Sequence, residues 1–182
     1  MFKYLLALIM ALFFTGCFPN TYYSTTDDYV IGLRWYDRGN YQNALQYWEP
    51  LVEKGDCDAK MQVGKMYFAG EGIDQNLEKA IELWKKAANG NQQKAQALLG
   101  DLYNPNDNGF IFCKTCDKDV VQAYVWYRLF EKSAKYEGER KYASHIIPLI
   151  TKTMTDEQIR KGDQLVQQWK PTPKDCGARN LW

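Results

Sequence analysis

"GKMYFAGEGIDQNLEKAIELWKKAANG" occupies Gly64 to Gly90. It carries no nucleophile beside a base and no cluster of metal ligands. Its glycines, alanines and tryptophan return elsewhere at a fixed interval, and repeats of this kind decide an architecture before any other reading. Shifted forward by 36 residues, Ala59 falls on Ala95, Gly64 on Gly100 and Tyr67 on Tyr103. The match then slips and returns seven residues later, where Ala80 falls on Ala123 and Trp84 on Tyr127. Shifted backward by 36, Ala80 falls on Ala44 and Trp84 on Trp48. Gly32 and Tyr36 precede that pair, with a shorter connection.

Each unit reads as two helices. In the second unit, helix A is predicted over about Asp58 to Phe68, with Asp58 as N-cap and Gly70 as stop. "AGEGIDQN" is the turn, and its two glycines suit backbone angles that other residues resist. Helix B is predicted over Leu77 to Asn89 and ends at Gly90. Ala80, Leu83, Trp84, Ala87 and Ala88 recur at the three- and four-residue spacing of an apolar helical face. Small residues allow two helices to approach closely, and the large rings fill the space between units.

These residues resemble the Sel-one-like repeat (SLR), a relative of the tetratricopeptide repeat. The family pattern runs Ala, Leu-Gly-x-x-Tyr, Gly-x-Gly, Lys-Ala-x-x-Trp, Ala-Ala-x-x-Gly. The second unit carries Ala59, Val63-Gly64, Tyr67, Gly70, Gly72, Lys79-Ala80, Trp84, Ala87-Ala88 and Gly90. The third matches at Leu99-Gly100, Tyr103 and Gln122-Ala123, while the first, with Gly39, Tyr41 and Ala44, is closer to the tetratricopeptide form. The resemblance implies an all-α, right-handed solenoid of about four helix-turn-helix units over residues 29–169. A fourth helix A is predicted over Glu139 to Ile150, interrupted near Pro148. Its partner starts at Thr155 and Gln158, a capping-box spacing, and shows Ile159, Gly162, Val166 and Trp169 on one face. Residues 170–182 read as an extended tail.

The third unit departs most. In place of a tight turn stands "NPNDNGFIFCKTCDKD", with Phe110, Phe112 and the pair Cys113 and Cys116. Insertions in repeats map to loops on one face, often a binding face. With Cys57 and Cys176 the chain has four cysteines apart from Cys17, which allow three connectivities. Cys113–Cys116 and Cys57–Cys176 are the favoured pairs. A redox-active dithiol and a zinc site compete with that reading. The dithiol would normally sit on a βαβ fold, and the zinc site would need a second paired motif.

Residues 1–16 read as a signal peptide: Lys3 supplies a positive start and Leu5 to Phe14 an apolar run too short to span a bilayer. "FTGC" resembles a bacterial lipobox, which implies acylation of Cys17 and cleavage after Gly16. Residues 17–28 then form a lipidated tether. Phe18 stands where Asp would favour the inner membrane, so the resemblance implies the periplasmic side of the outer membrane.

The net charge of +1 argues against a nucleic-acid partner. His145 is the single histidine, and no nucleophile elbow, HExxH or phosphate loop is present. No catalytic residue, metal or cofactor is expected. The resemblance implies an adaptor that binds another envelope or periplasmic protein, in a narrower version an immunity protein against a periplasmic toxin. Candidate protein-binding residues are Lys60, Lys65 and Phe68 on a helix A, with Phe110 and Phe112 of the insert. The competing functions are a hydrolase acting on cell-wall or β-lactam substrates and a thiol–disulfide protein using Cys113 and Cys116.

Overall fold

A computed structural model describes residues 25–105, 118–172 and 176. Cys17, Phe110, Phe112, Cys113 and Cys116 lie outside the described residues. Among those described, eight α-helices and no strand are present: α1 (Thr25–Asp37), α2 (Tyr41–Glu53), α3 (Cys57–Ala69), α4 (Leu77–Asn89), α5 (Gln93–Tyr103), α6 (Val120–Ser133), α7 (Glu137–Thr151) and α8 (Asp156–Gln168). Consecutive helices pack on one another from α1 to α7, and α8 returns against α6. The fold is an all-α solenoid of paired helices.

The starts of the helices repeat in register. Asn40 and Asn76 cap α2 and α4 through backbone N–H groups three residues on, at 3.3 and 2.9 Å. Asp56 and Gln92 do the same for α3 and α5, at 2.8 and 2.6 Å. A side-chain acceptor there satisfies one of the donors that a helix N-terminus leaves open. Asp56, rather than Asp58, is therefore the cap of α3. Gly70 ends α3 in the left-handed region at φ 73°, and its N–H and that of Glu71 both reach the Met66 carbonyl. A side chain at that φ would be strained.

Within each of the first three pairs a ring on the second helix sits over a glycine on the first. A Cβ on Gly64 would lie 2.6 Å from Trp84 Nε1, and one on Gly100 would lie 2.9 Å from the Tyr127 ring. Gly32 meets Trp48 in the same way. The indole N–H groups donate to carbonyls three residues before the glycine, Trp84 to Met61 at 3.1 Å and Trp48 to Tyr29 at 3.2 Å. Trp48, Trp84 and Tyr127 are fully buried. Leu45, Trp48, Val63 and Met66 form one core, and Met61, Trp84, Leu99 and Val125 the next, so α3 and α4 contribute to both.

Two helical details differ from the sequence reading. α7 begins at Glu137 and runs unbroken through Pro148 to Thr151. Pro148 is exposed and three residues from the helix end, where water can replace the hydrogen bond it removes. α1 opens at Thr25, so the last residues assigned to the tether are already helical. At the other end, Thr172 N–H donates to the Asn89 carbonyl at 2.8 Å. Cys176 is buried and disulfide-bonded to Cys57, with Cα atoms 5.0 Å apart. Gly90 lies beneath the bridge, where a Cβ would collide with Cys176 Sγ.

Gly64→Ala is expected to cost about 1–3 kcal/mol by overpacking against Trp84. Gly138→Ala, at a helix site with nothing within 4 Å of its Cβ, should leave stability unchanged or raise it by up to about 1 kcal/mol. Urea unfolding of both variants checks the contrast, and equal effects would refute the ring-over-glycine account. The bridge closes a separation of 119 residues, which corresponds to about 4–5 kcal/mol in the loop-entropy model. Reductant should lower the melting midpoint by on the order of 10 °C, with that part of the response absent in Cys176→Ala.

Candidate functional site

The first helices of the four pairs share one face, and that face lines a groove of about 700 Å³. Tyr36 comes from α1, Met61, Gln62, Lys65 and Phe68 from α3, Ala97, Leu98 and Asp101 from α5, and Tyr142 from α7. The 36-residue shift maps Met61 on Ala97, Gln62 on Leu98 and Lys65 on Asp101. Equivalent positions of successive units therefore face the same space, because i, i+3 and i+4 residues share a helical face.

Lys65 and Phe68 belong to this groove, as the sequence reading placed them. Lys60 does not. It is buried beside Val63 and Tyr67 on another side of α3, and its Nζ donates to the Gly55 carbonyl at 3.2 Å. Residues 60, 63 and 67 form one ladder on the helix, and 61, 65 and 68 another. His145 is exposed on α7 and is not part of the groove. Phe68 packs against Trp84 with ring centroids 5.5 Å apart, so the groove floor rests on the ring that joins α3 to α4.

Two carboxylates in the groove are clasped by phenols. Glu71 accepts from Tyr36 at 2.6 Å and from Tyr41 at 3.4 Å. Asp101 is buried and accepts from Tyr127 and, at 3.0 Å, from Tyr142. Burial, followed by the Glu71 contact, pushes the Tyr36 phenol well above its usual range. Burial, then the Asp101 charge, pushes Tyr142 up to about 12 and Tyr127 further. These phenols stay protonated at neutral pH and act as donors to the two carboxylates.

None of the phenol–carboxylate clusters was legible as a site in the sequence. Asp101 aligns with Lys65, so the repeat pattern itself predicts nothing for that position. The substitution of Tyr127 for tryptophan was the available signal, since a buried phenol needs an acceptor within reach.

A family model described as the Sel1 repeat matches residues 57–92 and 93–134. The first span starts with α3 and includes α4, and the second starts with α5 and includes α6. Two solved structures are similar. One is a protective antigen present in uropathogenic Escherichia coli strains, described as displaying an SLR fold. It shows a TM-score of 0.67 and 20% identity over 84% of this chain. The other is a Sel1 repeat protein from Oxalobacter formigenes, with a TM-score of 0.56 and 25% identity over 72% of this chain. The chain spans 32% and 51% of the lengths of these two proteins. Sel1 repeats generally serve as protein-interaction modules, and their fold is typically a non-enzymatic scaffold. The repeat interval, the paired helices and the matched family model agree: this chain is a Sel1-like repeat protein.

Proposed function

We propose that the chain is a scaffold of the bacterial cell envelope that receives a segment of another protein in the groove of its first helices. The observation that carries this reading is the groove itself. It is about 700 Å³, is lined at equivalent positions of successive units, and has apolar side chains such as Phe68 and Leu98 between charged ones. Pockets of that size with an apolar lining and a few placed polar groups are where ligands bind. The signal-peptide pattern of residues 1–16 and the "FTGC" stretch support a lipid anchor on Cys17 and a position on the periplasmic side of the outer membrane. The short array and the individual insert of the third unit support a narrower version, in which the partner is a periplasmic toxin that the chain neutralises.

A photo-crosslinking amino acid placed at Ala97, inside the groove, tests the reading in native membranes. It should capture one stoichiometric partner, whereas the same group at exposed Glu157 on α8 should capture none. Ala97→Trp, which fills the groove, should abolish recovery of that partner by a crosslinker at Tyr36. Equal capture from both positions would overturn the groove as the binding surface. Metabolic labelling with a fatty acid should mark the wild type and not Cys17→Ser, and equal labelling would overturn the anchor.

A further inference from the structure

The polar groups that line the groove are mostly acceptors. Three carboxylates, Glu71, Asp101 and Glu139, stand against two ammonium groups, Lys65 and Lys94, so the formal charge of the lining is negative. Glu71 accepts from the Tyr36 and Tyr41 phenols. Glu139 accepts from the backbone N–H groups of Lys135 and Tyr136 at 3.0 and 3.1 Å, and from the Gln93 amide at 3.3 Å. Neutral donors orient a carboxylate and leave its charge in place. Among the described residues, neither Glu71 nor Glu139 forms an ion pair. Tyr36 and Tyr142 spend their hydroxyl hydrogens on Glu71 and Asp101, so an incoming group meets only the lone pairs of their oxygens. Gln62 adds a further acceptor, because its buried Oε1 has no donor among the described residues. The Nζ of Lys65 stands 5.7 Å from the centre of the Tyr36 ring, a cation–π contact. A cation of the chain itself thus already rests on one ring of the groove. Phe68 and Tyr142, both partly exposed, line the same space.

Negative charge, acceptor lone pairs and aromatic rings are the three features that hold a cation. Building on the groove as the binding surface, we infer that it selects a basic segment of a partner protein. Lys or Arg side chains of that segment reach the Glu71 and Glu139 carboxylates, and its apolar side chains seat on Phe68 and Leu98. Arginine suits the place better than lysine, because a guanidinium carries five donors in a planar fork and stacks on aromatic rings. Lys65 and Lys94 repel such a ligand in part. Lys94 is exposed at the start of α5, so its charge can be removed without disturbing the core. Its removal tightens the binding of a basic ligand and weakens that of an acidic one, which makes the sign of the effect diagnostic.

The test is a displayed library of random peptides, selected on the full chain in mild detergent. Five proteins are compared: wild type, Glu71→Gln/Glu139→Gln, Lys94→Gln, Ala97→Trp and Glu157→Gln, the last altering a carboxylate that does not line the groove. The glutamines keep an acceptor at both sites and remove only the charge. Thermal melts first establish that each variant is folded. Wild type and Glu157→Gln should enrich peptides with Lys or Arg beside apolar residues. Binding of those peptides should weaken about tenfold in Glu71→Gln/Glu139→Gln and weaken with added salt. It should tighten about threefold in Lys94→Gln, a gain that loss of folding cannot mimic. Enriched peptides without basic residues, or basic peptides that bind both charge variants as they bind wild type, would overturn the inference. If Ala97→Trp still abolishes binding in that case, the groove remains the binding surface and only its selectivity is refuted. Peptides that bind Ala97→Trp as they bind wild type, or no enrichment on wild type, would overturn both.

Discussion

Trp48, Trp84 and Tyr127 each seat a ring where a glycine of the preceding helix presents no side chain. Every other relation in the stack follows from that contact. It sets how closely the two helices of a pair approach, and it hides three of the largest fully buried side chains. Where the ring is an indole, the N–H binds a backbone carbonyl of the same helix, so the contact fixes rotation as well as distance. The last helix makes an inverted contact across pairs: Gly162 on α8 receives Tyr124 from α6, and the Tyr124 hydroxyl donates to Asp163 at 2.8 Å. That inversion accounts for α8 packing on α6.

The third pair shows how one substitution in this contact reaches the groove. Tyr127 replaces the indole and has no N–H to give to the carbonyl of its partner helix. Its hydroxyl turns instead to Asp101, and Asp101 also draws in Tyr142 from the fourth pair. A packing residue thus joins two neighbouring units through a carboxylate at the floor of the groove. The positions that pack keep glycine, alanine and a large ring from unit to unit. The positions that face the groove change, with Lys65 in one unit and Asp101 in the next. Architecture and selectivity are carried by different faces of the same helices, so either can vary with little effect on the other.

The repeat interval, helix α4 with its termini, the turn glycines at positive φ and the Thr155 capping box were all readable, because each depends on local spacing. The cap of α3 was not placed correctly. Asp56 and Asp58 both suit an N-cap, and only the 36-residue match of Asp56 with Gln92 separates them. Pro148 read as a break because proline removes a backbone donor, yet its site near the helix end makes that loss small. Lys65 and Phe68 fell on the groove by helical position, while Lys60, five residues before Lys65, fell on another side. The phenol–carboxylate contacts join residues about 26 to 41 positions apart, beyond what local pattern can pair.

A linear array of repeats has a built-in weakness: each unit touches only its neighbours, so unravelling can begin at an end and pass along the stack. The bond between Cys57 and Cys176 changes that topology. It ties Cys176 of the tail to the first residue of α3, and so encloses the second, third and fourth pairs in one covalent ring. The C-terminal pair no longer has a free end from which to peel. A pull between the two ends of the chain is carried through the bridge, past the enclosed helices. Only α1, α2 and the segments outside the ring can be drawn out. Of the helices that line the groove, α3, α5 and α7 lie within the ring and α1 outside it, so the surface between α3, α5 and α7 keeps its shape while the leading pair loosens or is stretched.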